Sequence, residues 1–352
     1  MKTLNKLFSY LMILSSVLML SCKDNDDMVP DEGEENNVPI GKWSRVSDFD
    51  GVPRSGASSF TIGNKGYLLC GYDGKKCLSD VWEYDMERDI WTQKAAFPGT
   101  SRHLAVAMAV DGKGYFGTGY DGTDRLNDFW EYDPVANSWT QKADFLGSAR
   151  HGAVAFGIGN KGYLGCGYDE ACLKDFYAFT PLSNSWVQIA SIGGLDTIDN
   201  IGGSKRKGAT SFVINDIAYV CGGINNGNYA EDFWKYDPAA EKWTRLRDIS
   251  DTSDDSYDDD YDMLGTDKVA FVIGGAAYLT CGGSGSLRLE TWKYVPQTDL
   301  WESVARFKGT SRTGTVSFSN GGRGFVVTGK NSTNYFDDIW EFDPDEYDDD
   351  DY

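Results

Sequence analysis

Five arginines, Arg54, Arg102, Arg150, Arg206 and Arg312, recur down the chain. Each guanidinium presents a fork of N–H donors that suits a carboxylate, a sulfate or a glycan. An acidic residue follows each one, at Asp80, Asp128, Asp175, Asp232 and Asp338, so the same five can equally be consumed as internal ion pairs; a sixth acid, Glu290, has no arginine before it. The two histidines, His103 and His151, come directly after two of these arginines. Such a pair can shuttle protons or hold a metal, but no third ligand stands at a useful spacing, so no metal site is expected. Three pairs, Tyr72-Asp73, Tyr120-Asp121 and Tyr168-Asp169, combine a ring that stacks on a sugar with a carboxylate that hydrogen-bonds it. The alternative is turn chemistry, for which aspartate is also suited.

These residues share a repeat. The stretch 54–91 returns at 102–139, 150–186, 206–243 and 265–301, and a sixth copy runs from Arg312 to Trp340. An aromatic stands thirteen residues after every opening position, at Tyr67, Tyr115, Tyr163, Tyr219, Tyr278 and Phe325. A second register holds Trp82, Trp130, Tyr177, Trp234, Trp292 and Trp340, and in the first five copies another Trp follows nine residues later. The sixth copy lacks that last Trp, whereas Trp43 stands eleven residues before Arg54, the interval that separates Trp91 from Arg102. The first strand of the chain is therefore expected to complete the last unit. In the first copy strand a is expected at 56–62, strand b at 67–71, strand c at 81–85 and strand d around Trp91.

The order of aromatic, small doublet, acidic residue, Trp and second Trp resembles the kelch motif over residues 41–343, with doublets such as Cys70-Gly71, Thr118-Gly119 and Gly222-Gly223. The resemblance implies an all-β fold, a six-bladed kelch-type β-propeller closed by the N-terminal strand and free of long exposed edges. Strand a is innermost in such a ring, so the arginines are expected around the channel mouth, as ligand-binding groups or as ties between blades. The mouth face also carries the two long insertions, 187–205 and 244–264, and loops of that kind are where a regular scaffold carries function. Kelch-like galactose oxidases use a copper site, which needs a histidine set that this chain lacks. Six-bladed kelch proteins of bacterial envelopes include sialic acid mutarotases, so a cofactor-free sugar mutarotase or epimerase is the alternative to a binding module, without catalytic residues that can be matched one by one. No nucleophile elbow, phosphate loop or zinc spacing is present, and no cofactor is expected.

Residues 1–21 read as a signal peptide, with Lys2 and Lys6 before an apolar run that is short for a membrane span. Ser21-Cys22 resembles the end of a bacterial lipobox, so Cys22 is expected to carry lipid and to place the chain on the outer membrane, surface-exposed or facing the periplasm. Residues 22–40 form an acidic tether and 344–352 an acidic tail. The tether, the Asp-rich part of the second insertion and the tail hold seven, seven and six acidic residues, which accounts for almost all of the net charge of −21. Such a balance argues against nucleic-acid partners and leaves a glycan or an envelope protein, bound by a monomer or within a complex. The Asp-rich run 251–262 can also be read as a calcium loop, although it lacks EF-hand spacing. In an exported chain, Cys70 with Cys77 and Cys166 with Cys172 can close disulfides across their loops.

Overall fold

The computed structural model describes residues 40–194, 203–250 and 263–347, all within the compact unit Val38–Tyr352. The signal peptide, Cys22, most of the tether, the Asp-rich run with its calcium reading and the end of the tail lie outside the described residues. No helix occurs among those described.

Six four-stranded antiparallel sheets form the blades of a propeller. The first comprises Ser58–Ile62, Lys65–Leu69, Val81–Asp85 and Ile90–Gln93, and the next four repeat that meander. The sixth has Val316–Ser319, Gly324–Val327 and Asp338–Tyr347 as its inner three strands and takes Ile40–Asp48 as its outermost. Trp43 pairs with Phe342, as Trp91 does with Tyr84 in the first blade, so the start of the chain closes its end as expected. The innermost strands touch one another all the way round the axis.

Strand a begins two residues later than the sequence pattern implies and strand b begins and ends two residues sooner; both limits on the mouth side have a backbone reason. The residue after next from each opening position, Gly56, Leu104, Gly152, Gly208, Asp267 or Gly314, has a φ between 53° and 64°. So does the first member of each small doublet, Cys70, Thr118, Cys166, Gly222, Cys281 or Thr328. These left-handed turns end the ladders and redirect the chain across the mouth face.

Blades are joined by aromatic packing. Phe60 stacks on Tyr67 at 4.8 Å, and Tyr67 meets Tyr132 of the next blade at 5.9 Å. The glycine before the strand-b aromatic makes this possible: a Cβ on Gly114 would come within 2.2 Å of the Phe60 ring, and one on Gly66 within 2.4 Å of Phe318. Around the axis the walls carry small neutral side chains, among them Ser59, Ala107, Ala155, Ser211, Ala270 and Ser317, about a cavity of roughly 440 Å³. That wall offers little chemistry, which leaves the two faces.

Candidate functional site

The five arginines begin the mouth face, and they are not available to a ligand. All are 0% exposed. Each Nε donates to the carbonyl two residues back, at 2.8–3.0 Å. Each Nη1 donates to the left-handed residue of its own doublet, at 2.9–3.1 Å. Arg54, Arg102, Arg150 and Arg312 then fork onto Asp80, Asp128, Asp175 and Asp338, while Arg206 makes a single 2.5 Å contact with Asp232 Oδ1. The indole N–H of Trp82, Trp130, Trp234 and Trp340 supports the same carboxylates, and Phe49, Phe97, Phe145 and Phe307 lie 4.9–5.3 Å beneath four guanidinium groups. Burial pushes the Asp80, Asp128, Asp232 and Asp338 carboxyls up, but arginine and tryptophan outweigh it and hold them below the usual carboxylate range. Expecting ligand contacts from Arg54, Arg102, Arg150, Arg206 and Arg312 is therefore corrected: too few N–H donors remain, and water does not reach them.

The fifth blade shows what the layer is for. It lacks the arginine, and Lys268, three residues after Gly265, reaches back to the carbonyl of Cys281, the doublet residue that an arginine would have engaged. Burial lowers the pKa of this amine. Glu290, without its partner, turns to the exposed Arg306 at 3.3 Å. The backbone at the opening positions ties blades together as well: Gly71, Gly119, Gly167, Gly223, Gly282 and Gly329 each donate to the next blade's opening carbonyl at 2.7–2.9 Å.

One residue further along, the surroundings change. His103 and His151 bridge to Tyr120 and Tyr168, and Ser55 to Tyr72, which brings strand-a starts and b-to-c loops together. The result is an arc of half-buried rings. Tyr335 meets Tyr72 at 6.4 Å, Tyr72 meets His103 at 5.4 Å, His103 meets Tyr120 at 5.8 Å, Tyr120 meets His151 at 5.7 Å and His151 meets Tyr168 at 5.5 Å. A lysine stands at each end: Lys207 Nζ is 4.5 Å from the centre of Tyr168, and Lys330 Nζ is 5.8 Å from that of Tyr335. Burial, then Lys207, Arg125 and His103, lower the His151 pKa to about 4, and burial with Lys330 lowers that of His103. The imidazoles are thus neutral at pH 7, and His151 Nδ1 is buried without a hydrogen-bond partner.

Inside the arc lies a ring of backbone. Leu104 N donates to Gly56, Gly152 N to Leu104, Gly208 N to Gly152, Asp267 N to Gly208 and Gly56 N to Gly314, at 2.8–2.9 Å. Asp267 is the one ionisable residue in that ring. Burial pushes its carboxyl up, although Thr266, whose hydroxyl donates to Oδ2 at 2.6 Å, and then Lys207 and Lys330 pull it back. The sequence does carry this signal: Asp267 stands where four of the other five repeats have Gly56, Gly152, Gly208 and Gly314 and one has Leu104, a departure that only alignment to the glycines reveals.

A family model described as the KLHDC2/KLHL20/DRC7 Kelch-repeats domain matches residues 40–199, and the Kelch motif model matches residues 205–250. The chain belongs to the kelch-repeat proteins. No curated protein matches it. A solved structure of YjhT superposes with a TM-score of 0.66 at 17% identity, covering 84% of this chain and 96% of the other, a likeness of fold alone.

In this kelch propeller the remaining site expectations divide. His103, His151, Tyr72, Tyr120 and Tyr168 converge on the mouth. Asp73, Asp121 and Asp169 do not work with them: their Oδ1 atoms accept backbone N–H groups two or three residues on, and Asp169 Oδ2 also takes the Ser148 hydroxyl at 2.6 Å. They shape the loops, as turn chemistry allows. The expected disulfides are not formed: Cys70, Cys77, Cys166 and Cys172 are all free thiols. Cys70 packs in the core with Val81 and Phe97, while Cys77 Sγ lies 3.4 Å from the Asp121 carbonyl of the neighbouring blade. Cys166 is likewise in the core, and Cys172 Sγ lies 3.3 Å from the Ile224 carbonyl. Lys207, Lys330, Tyr335 and Asp267 are not among the sequence expectations: Lys207 stands in the register of His103 and His151, and Lys330 in that of Tyr72, Tyr120 and Tyr168, with a different residue type in each.

Proposed function

We propose that this chain is a cell-envelope propeller that binds a carbohydrate at the mouth face. The observation that supports the reading is the arc of Tyr335, Tyr72, His103, Tyr120, His151 and Tyr168. Half-buried rings with polar tips offer apolar faces to the C–H side of a sugar while hydrogen-bonding its hydroxyls. A cleft of about 400 Å³ between the second and third blades, lined by Asp124, Arg125, Ser148 and Glu170 among others, extends the surface beside Tyr168. The test is a glycan array of neutral, sialylated and sulfated oligosaccharides probed with wild type and Tyr120→Ala. Binding that the variant loses supports the reading. A blank array overturns it and moves the ligand to a protein partner in an envelope complex.

The placement in the envelope rests on the Lys2 to Leu20 leader and the Ser21-Cys22 junction. Export with lipid on Cys22 puts the propeller on the outer membrane, held by its acidic tether. Labelling of cells with a palmitate analogue is expected to mark the wild type and to fail in Cys22→Ser.

Asp267 favours a second reading, a cofactor-free mutarotase or epimerase. A carboxyl pushed up by burial and set against the Thr266 hydroxyl in the axial ring is suited to giving a proton to a bound sugar and retaking it. NMR of a reducing sugar with the protein present decides it. Faster anomer exchange, lost in Asp267→Asn, makes the chain an enzyme, whereas binding with the solvent rate unchanged makes it a lectin-like receptor.

A further inference from the structure

We propose that Lys207 and Lys330 form an anion subsite that selects sugars carrying a negative substituent, a carboxylate or a sulfate. The inference rests on the carbohydrate reading and adds the class of sugar. Its starting point is a contrast in charge pairing. The five arginines one layer away each take a carboxylate, yet among the described residues no carboxylate lies in salt-bridge range of either lysine.

The ring contacts set the two ammonium groups at opposite ends of the arc, Lys207 on Tyr168 and Lys330 on Tyr335. The fields of both reach Asp267 in the axial ring. Asp267, the acid that both fields reach, holds the Thr266 hydroxyl. Among the described residues, two cations without a carboxylate in ion-pair range thus stand at the ends of the mouth arc of a chain whose net charge is −21. Stacking on tyrosine satisfies one face of an ammonium and leaves its N–H donors for a ligand. A pyranose lying against Tyr120 and Tyr168 would carry its charged substituent towards the axis, between the lysines, with Asp267 left for a ring hydroxyl.

The experiment is calorimetric titration of the full chain in detergent with trigalacturonate, a sulfated galactotriose and neutral galactotriose, at low and at high salt. The lysine variant is Lys207→Met with Lys330→Met, with its melting temperature as the folding control. At least one charged sugar is expected to bind about tenfold more tightly than the neutral one at low salt, an advantage that salt erodes. The double variant should lose that advantage and keep the neutral affinity, and whichever charged sugar responds names the group. Equal binding of neutral and charged sugars overturns the subsite and leaves the carbohydrate reading standing. A charge preference that survives in the double variant overturns it too. Absence of binding by all three sugars removes both readings together.

Discussion

Arg102 and His103 are consecutive, as are Arg150 with His151 and Arg206 with Lys207, yet they belong to different layers. The arginine turns inward, loses all contact with water and uses at least four of its five donors on its own blade. His103 and His151 turn to the mouth and stay half-buried, each held by rings from two blades, and Lys207 rests on Tyr168, with no ion pair among the described residues. Both positions recur around the ring. A repeated polar residue whose donors are consumed within its own unit is scaffold, whereas His103 and His151 also touch a ring of the preceding unit and enter no ion pair among the described residues.

The largest effect expected from breaking this contrast is on the scaffold side. Arg102→Ala leaves Asp128 part-buried beside an emptied guanidinium space and should cost about 3–5 kcal/mol of stability, read as a lower midpoint in guanidinium unfolding. Sugar binding by the fraction that remains folded should be unchanged. The same layer sets the acid limit. Asp80, Asp128, Asp232 and Asp338 have folded pKa values below the unfolded ~3.9, so their contribution is complete above about pH 4 and is lost as pH falls through the folded values.

The mouth layer responds to pH in a different window. His151 titrates at about 4 in the folded chain against ~6.5 when unfolded, so the unfolded state binds more protons between these values and stability falls as pH drops from 6.5 to 4. Asp267 opposes this, because its raised carboxyl favours the folded state on the acid side. Comparing wild type with His151→Gln cancels the aspartate term. The variant should lose less stability than wild type between pH 7 and pH 4.5 in urea titrations, by roughly 3 kcal/mol at most. Equal slopes would place the imidazole in water and undo the layer's description.

How much of this was legible follows from the same contrast. The blade count, the closure by Trp43 and the pairing of each arginine with an aspartate are written at fixed intervals, because every blade solves the same packing problem with the same residues. The role of those arginines was ambiguous from sequence, since a guanidinium fork fits an internal carboxylate and a ligand equally well; only zero exposure and the count of satisfied donors separate them. Lys268 standing in for a missing arginine from three residues downstream breaks the register and is invisible to spacing. The arc needs Tyr335 of the last blade beside Tyr72 of the first, 263 positions apart in the chain, which only ring closure provides.

A sharper comparison of the layers comes from Tyr120→Ala, whose expected effect is on binding rather than folding. The ring contacts His103 and His151 without entering a core cluster, and its hydroxyl donates to the Gly122 carbonyl at 3.0 Å. Removing it should cost about 0.5–1.5 kcal/mol of stacking, up to about tenfold in affinity for any sugar the array identifies. The melting temperature should move far less than in Arg102→Ala.

The smallest expected effect concerns the loops that carry the arc. A disulfide from Cys70 to Cys77 or from Cys166 to Cys172 would fasten the Tyr72 and Tyr168 loops to the core, and its reduction would cost about 2–4 kcal/mol. The structure instead holds these loops by the bridges of Tyr72 to Cys77 and Tyr168 to Cys172 and by the Asp73 and Asp169 turns, with all four thiols free. Burial pushes the Cys70 and Cys166 thiols up to about 12, so neither is a ready nucleophile for closing a bond at neutral pH. Reductant should therefore leave the melting temperature unchanged, and mass spectrometry after alkylation in denaturant should find all four as thiols. A drop in melting temperature with reductant would mean that the mouth loops are anchored covalently, and the arc would then be a rigid extension of the scaffold rather than a layer apart from it.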